Sequence, residues 1–192
     1  MKTPDLVFRG RRLSSDRALV LAAVASLPAA RDAVADGADL VSFAGAGAES
    51  LVEAARETFP GLVIGVDTAD PSVAAACCEA GADLIVARED LSEVAARYGA
   101  GYAAPSIPSA AGLPASGVVL DIGAFSTPLP DLPVLASVAG DGTPGGLARA
   151  ALAASAGVAI LRTKHVREMR HVAEMAASIA GTRPPAKAVR WE

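Results

Sequence analysis

Asp36-Gly37-Ala38-Asp39-Leu40 and Glu79-Ala80-Gly81-Ala82-Asp83-Leu84 write the same phrase twice. In each, an Ala-rich stretch of helical period ends on an acidic residue or its neighbour, breaks at a glycine, and restarts as an apolar run beyond an aspartate. Glycine just past the last periodic residue is the usual stop signal of a helix, because it alone adopts the left-handed cap without strain. The phrase is therefore a helix C-terminus, a turn and a strand start, and its recurrence records a strand-helix period.

Outward from these two points the same alternation continues, which predicts a parallel sheet wrapped in helices. Leu6 to Arg9 and Arg11 to Leu13 pivot on Gly10 as a small hairpin ahead of the main fold. Strands are predicted over 18–24, 39–43, 62–66 and 83–86, then at 101–103, 118–121, 134–138 and 158–161. Helices are predicted over 28–36, 49–59, from Pro71 to the stop at Gly81, 89–98, 144–156 and 166–180. Pro28, Pro71 and Pro144 each fall in a first helical turn, where a missing N–H costs nothing, and Asp70 is placed to cap. Between Pro105 and Pro133, proline and glycine are too frequent for a helix. Eight strands with helices five and six absent or reduced to a turn give a (β/α)8 TIM-type barrel as the expected α/β fold. An open doubly wound sheet is the second reading.

Composition bounds the rest. The 192 residues suit one domain spanning 1–192. Hydrophobic residues make up 52% but aromatics only 4%, so the apolar content is mostly Ala, Val and Leu. A net charge of -4 offers no basic surface for a phosphate backbone, which argues against nucleic acid. No apolar run reaches the roughly 20 residues needed to span a bilayer, and no signal-peptide core opens the sequence, so a cytoplasmic location without membrane contact is expected. Cys77 and Cys78 are neighbours in a helical stretch, unsuited to pairing with each other, and read as reduced.

In this fold binding groups stand at the C-terminal ends of the strands. Asp67 and Asp121 each follow an apolar strand and are expected to face the barrel mouth, although one such aspartate alone serves equally well as a helix cap. Arg162-Thr163-Lys164-His165 follows the last strand, and Gly140-Asp141-Gly142-Thr143-Pro144-Gly145-Gly146 follows the one before it. Loops in those two places commonly bind phosphate, with glycine amides and a helix N-terminus at hand, but Asp141 would repel an anion.

These strand ends resemble the dihydropteroate synthase family, the folate-pathway barrel that joins a dihydropterin pyrophosphate to p-aminobenzoate. The resemblance runs in order through Phe8-Arg9-Gly10-Arg11-Arg12-Leu13, Gly37-Ala38-Asp39-Leu40-Val41, Val66-Asp67-Thr68, Glu79-Ala80-Gly81-Ala82-Asp83-Leu84-Ile85, Leu120-Asp121 and Ala159-Ile160-Leu161-Arg162. It implies that Asp67 and Asp121 are the acids that hold the pterin ring and that Arg162 lies on the phosphate side of the site. Lys164 stands where the family has a histidine and can still serve an anion.

Several family residues are replaced. The asparagine after strand four falls at Val86, the lysine of a Ser-Arg-Lys turn at Asp141, and the metal-associated asparagine after the first strand at Ala25, so Mg2+ is implied by the family but its ligand is not retained. The loop that should follow Ala25 is gone, and the second-strand motif is reduced to Ser42-Phe43-Ala44-Gly45-Ala46. The resemblance thus implies a pterin-like or phosphorylated small-molecule ligand with weak or no synthase activity, and it assigns no catalytic residue. Two other readings stay open: a repurposed barrel enzyme using Asp67 or Asp121 as acid or base, and a non-catalytic binding or scaffold protein. Apolar surface left bare by the missing helices predicts a homodimer or a protein partner.

Overall fold

The structure, a computed structural model, describes residues 5–138 and 142–183. An antiparallel hairpin, β1 (Leu6–Phe8) and β2 (Arg11–Leu13), precedes a closed parallel barrel. The barrel strands are β3 (Leu19–Val24), β4 (Leu40–Ala44), β5 (Val63–Asp67), β6 (Leu84–Val86), β7 (Gly101–Ala104), β8 (Val118–Ala124), β9 (Val134–Ser137) and β10 (Ile160–Thr163). They pair in sequence order, and β10 closes the ring onto β3.

Among the described residues six helices surround the ring: α1 (Leu27–Ala35), α2 (Ala48–Thr58), α3 (Pro71–Glu79), α4 (Ser92–Tyr98), α5 (Pro144–Ala156) and α6 (Val166–Ala180). Pro28, Pro71 and Pro144 stand in first turns and Asp70 caps its helix as expected, while Ser26 and Thr143 are caps the sequence reading did not name. Ser26 Oγ accepts from Ala29 N–H, Asp70 Oδ1 from Ser72 N–H at 2.7 Å, and Thr143 Oγ1 from Gly146 N–H. The expected eight-stranded barrel is present, and the helix expected to be missing after β7 is replaced by two 3-10 turns, Pro108–Ala110 and Ala115–Gly117. No helix joins β8 to β9.

Two boundaries differ from expectation in ways that matter. The last strand begins two residues late and includes Arg162, and β8 runs on to Ala124 through an irregular register beside β9. Arg162, placed after the strand by the sequence reading, thus lies within it, as does Asp67 at the end of β5, whereas Asp121, expected as the last strand residue, lies inside a longer strand. An inward position near the solvated mouth tolerates a charge without leaving the ladder.

The core has two layers. Outside the ring, Ile64, Val66, Ile85, Leu161 and their neighbours pack beneath Ala30, Val52, Ala74, Ala150 and Met169 of the helices. Inside it, Leu19, Leu21, Leu40, Val63, Leu84, Val119, Leu135 and Ile160 fill the interior, with Leu6 and Phe8 of the hairpin closing the N-terminal end. Alternation along a strand separates the two sets. Gly101 has no side chain because Phe8 takes the space: a Cβ there would overlap the ring and lie 2.8 Å from Cγ.

The repeated Gly-Ala-Asp phrase builds a matching clamp at each of its two sites. Asp39 accepts from Val20 N–H at 2.8 Å and from Arg17 at 2.6 and 2.8 Å, and Arg170 of α6 reaches it at 3.2 Å. Asp83 accepts from Ile64 N–H at 3.1 Å and pairs with Arg11 at 2.5 Å and with Arg56 of α2. In each case the helical arginine also caps the glycine carbonyl, Arg170 to Gly37 and Arg56 to Gly81. A shared arrangement two strands apart ties the outer helices to the N-terminal rim of the barrel.

Among the described residues no helix is long and apolar enough to cross a membrane. Exposed large apolar side chains are Ile107, near the missing fifth helix, and Leu152, Met175 and Ile179 on α5 and α6. Bare apolar surface therefore lies more on the last two helices than at the gap where it was expected.

Cys77 and Cys78 are free and buried in α3. Burial pushes both thiols up from 9.0 to about 11. Alkylation by iodoacetamide at pH 8 should therefore be slow in the native protein and fast in urea, since the thiolate is the reacting species. The unfolded thiols ionise near 9 and the folded ones near 11, so the unfolded chain holds fewer protons in that window. Stability should fall as pH rises from 9 towards 11, and should not fall that way in a Cys77→Ala/Cys78→Ala variant.

Candidate functional site at the barrel mouth

Alternation decides which strand-end side chains enter the barrel. Asp67 shares the inward face of β5 with Val63, Asp121 that of β8 with Val119, Ser137 that of β9 with Leu135, and Arg162 that of β10 with Ile160. Three of the four residues expected at the site thus converge from strands far apart in the chain. Arg162 Nη1 donates to Asp67 Oδ2 at 3.2 Å, and Nη2 lies 3.4 Å from Asp121 Oδ2. The other oxygen of Asp121 accepts from Gly123 N–H at 2.8 Å, which fixes the carboxylate where the register of β8 breaks. Bulges of this kind commonly re-aim a side chain beside a site.

Ser137 is the group the sequence reading missed. It sits directly opposite Arg162 across the β9–β10 ladder, and its Oγ accepts from Arg162 Nε at 2.9 Å. A serine at a strand end carries no signal of its own; only the register, unknown from sequence, brings it to the arginine. Lys164, the fourth expected residue, is exposed just beyond β10. His165 lies against Gly142, where a Cβ would come within 2.8 Å of its ring. Asp141, which stands where the family has its lysine, lies outside the described residues, as do Ala139 and Gly140.

The cluster is partly wet. The side chains of Asp67, Asp121 and Arg162 are 27%, 12% and 18% exposed, so a ligand can reach them from solvent. Val86, on the inner face of β6, is buried and apolar, and supplies no hydrogen bond where the family has an amide. Ala25 after β3 carries no oxygen on its side chain, and among the described residues no group of three or more His, Cys, Asp or Glu is arranged to hold a metal ion.

The chain is thus a closed eight-stranded (β/α)8 barrel with two acids and an arginine on its inner strand ends. No family model matches the chain. It is 29% identical to proteins named inactive dihydropteroate synthase 2 from Mycobacterium tuberculosis and Mycobacterium leprae, over 94% of this chain and 89% and 97% of theirs. That alignment runs over 282 positions against a chain of 192 residues, so these relatives carry segments this one lacks. The solved structure of Mycobacterium tuberculosis Rv1207 is 32% identical with a TM-score of 0.77, over 93% of this chain and 99% of that one. Yersinia pestis dihydropteroate synthase shares the fold at 21% identity and a TM-score of 0.78, over 92% and 98%. The chain belongs to the dihydropteroate synthase-like family, as a divergent member.

Proposed function

We propose that the mouth binds a pterin-type small molecule through Asp67 and Asp121, and that the protein has weak or no synthase activity. The observation that carries the reading is the convergence of Asp67, Asp121 and Arg162 from β5, β8 and β10, with the arginine within 3.4 Å of each acid. Carboxylates on rigid strands can accept the paired N–H donors of an aminopyrimidinone ring, and charge-assisted bonds of this kind exceed neutral ones. Arg162 and Lys164 stand on the side where a phosphorylated substituent would lie. Against turnover stand Val86, Ala25 and the shortened loops, which remove a ring partner, a metal ligand and the segments that would order the reactants. A pterin group left unpaired against Val86 costs about 1–3 kcal/mol.

Calorimetry with 6-hydroxymethylpterin tests the binding, and a pteroate assay with dihydropterin pyrophosphate and p-aminobenzoate tests the chemistry. Binding in the micromolar to millimolar range without steady pteroate formation is expected. Asp121→Asn keeps the size but exchanges an acceptor for a donor, and should weaken binding by about tenfold or more, as expected of a lost charged hydrogen bond. Absence of pterin binding by the unmutated protein at millimolar concentration would refute the proposal, and so would sustained turnover.

A further inference from the structure

The same molecule holds two kinds of arginine-aspartate contact, and the contrast between them is informative. On the N-terminal rim, Arg17 meets both oxygens of Asp39 at 2.6 and 2.8 Å, with Val20 N–H completing the carboxylate, and Asp83 is 1% exposed between two arginines. At the mouth, Arg162 takes one oxygen of each acid at 3.2 and 3.4 Å, and both acids remain open to water. Ion attraction weakens with distance, so Arg162 holds the mouth acids less strongly than Arg17 holds Asp39. Two carboxylates around one guanidinium also leave that cluster with a net negative charge. The contact at Nε is separate, made to the neutral hydroxyl of Ser137 rather than to either acid.

We infer that the Asp67–Asp121 pair is a receptor for a planar guanidinium-type donor edge, and that Arg162 is its resident occupant, in competition with any ligand that enters. The inference rests on the proposed pterin reading only for the natural ligand's identity. An aminopyrimidinone edge presents N–H donors in the pattern of a guanidinium, so it competes with Arg162 for the one oxygen of each acid that the guanidinium holds. The apparent affinity is then reduced by the fraction of time the acids are vacant. Arg162 thereby sets specificity: a ligand that offers the displaced guanidinium a new anionic partner is favoured over one that does not.

The test is calorimetry with methylguanidinium chloride and, separately, with 6-hydroxymethylpterin, on the unmutated protein, Arg162→Ala and Arg162→Met. Met keeps the length and apolar stem of the side chain if Ala disturbs folding, and circular dichroism confirms that each variant is folded. Methylguanidinium should bind the variants about tenfold or more tightly than the unmutated protein, and adding Asp121→Asn should abolish the gain. A folded Arg162→Met protein that binds methylguanidinium no better than the unmutated one overturns the inference, as does a gain that survives Asp121→Asn. If methylguanidinium behaves as expected while pterin binds none of the proteins, the receptor stands and the pterin reading falls.

Discussion

Asp83→Ala should lower stability by about 3–5 kcal/mol, the range seen when one partner of a buried ion pair is removed. The carboxylate is 1% exposed and faces Arg11, Arg56 and the Ile64 N–H at once. Its loss leaves two guanidinium groups close together with no compensating charge, and a buried amide without an acceptor. For a chain of this size the melting temperature should drop by roughly 10–15 °C. Asp83→Asn should recover part of the loss, because its carbonyl can still accept from Ile64 N–H. Urea denaturation followed by circular dichroism reads both variants, and a loss below about 1 kcal/mol for Asp83→Ala would show the clamp to be ornamental.

Phe8→Ala should cost a similar amount, about 3–5 kcal/mol, for a different reason. The ring is fully buried among Leu19, Leu40, Val63 and their neighbours and closes the lower end of the barrel interior. Without it the interior opens at the hairpin. Gly101 makes the argument sharper, since a methyl group there overlaps the ring. Gly101→Ala alone should destabilise, as overpacking does, but in the Phe8→Ala background the same methyl should be neutral or stabilising. A double-mutant cycle measures this reversal, and additive effects would refute the close fit between the two residues.

Much of the barrel was legible because its signals are local. Glycine stops at 37 and 81, proline starts at 28, 71 and 144, and short apolar runs between them need no knowledge of distant residues. The missing helices could be read for the same reason, since proline and glycine exclude them. Asp67, Asp121 and Arg162 were legible as strand-end charges, and a closed ring brings such groups together. What could not be read depends on register or on distance along the chain. Ser137 meets Arg162 only through the pairing of β9 with β10, and Asp83 meets arginines 72 and 27 positions away. The aspartates of the repeated phrase looked like punctuation, whereas each is the centre of a clamp.

Ring closure by the last strand also has a meaning in time. The chain is synthesised from its N-terminus, so β3 gains its second neighbour only when residues 160–163 have been made. Asp39 likewise waits for Arg170 of α6, 131 positions later, to complete its set of partners. Until then a nascent chain carrying β3 to β9 has two unpaired strand edges, the feature most prone to association with other chains. A chain ending before residue 160 therefore holds an open sheet with two edges rather than a closed ring.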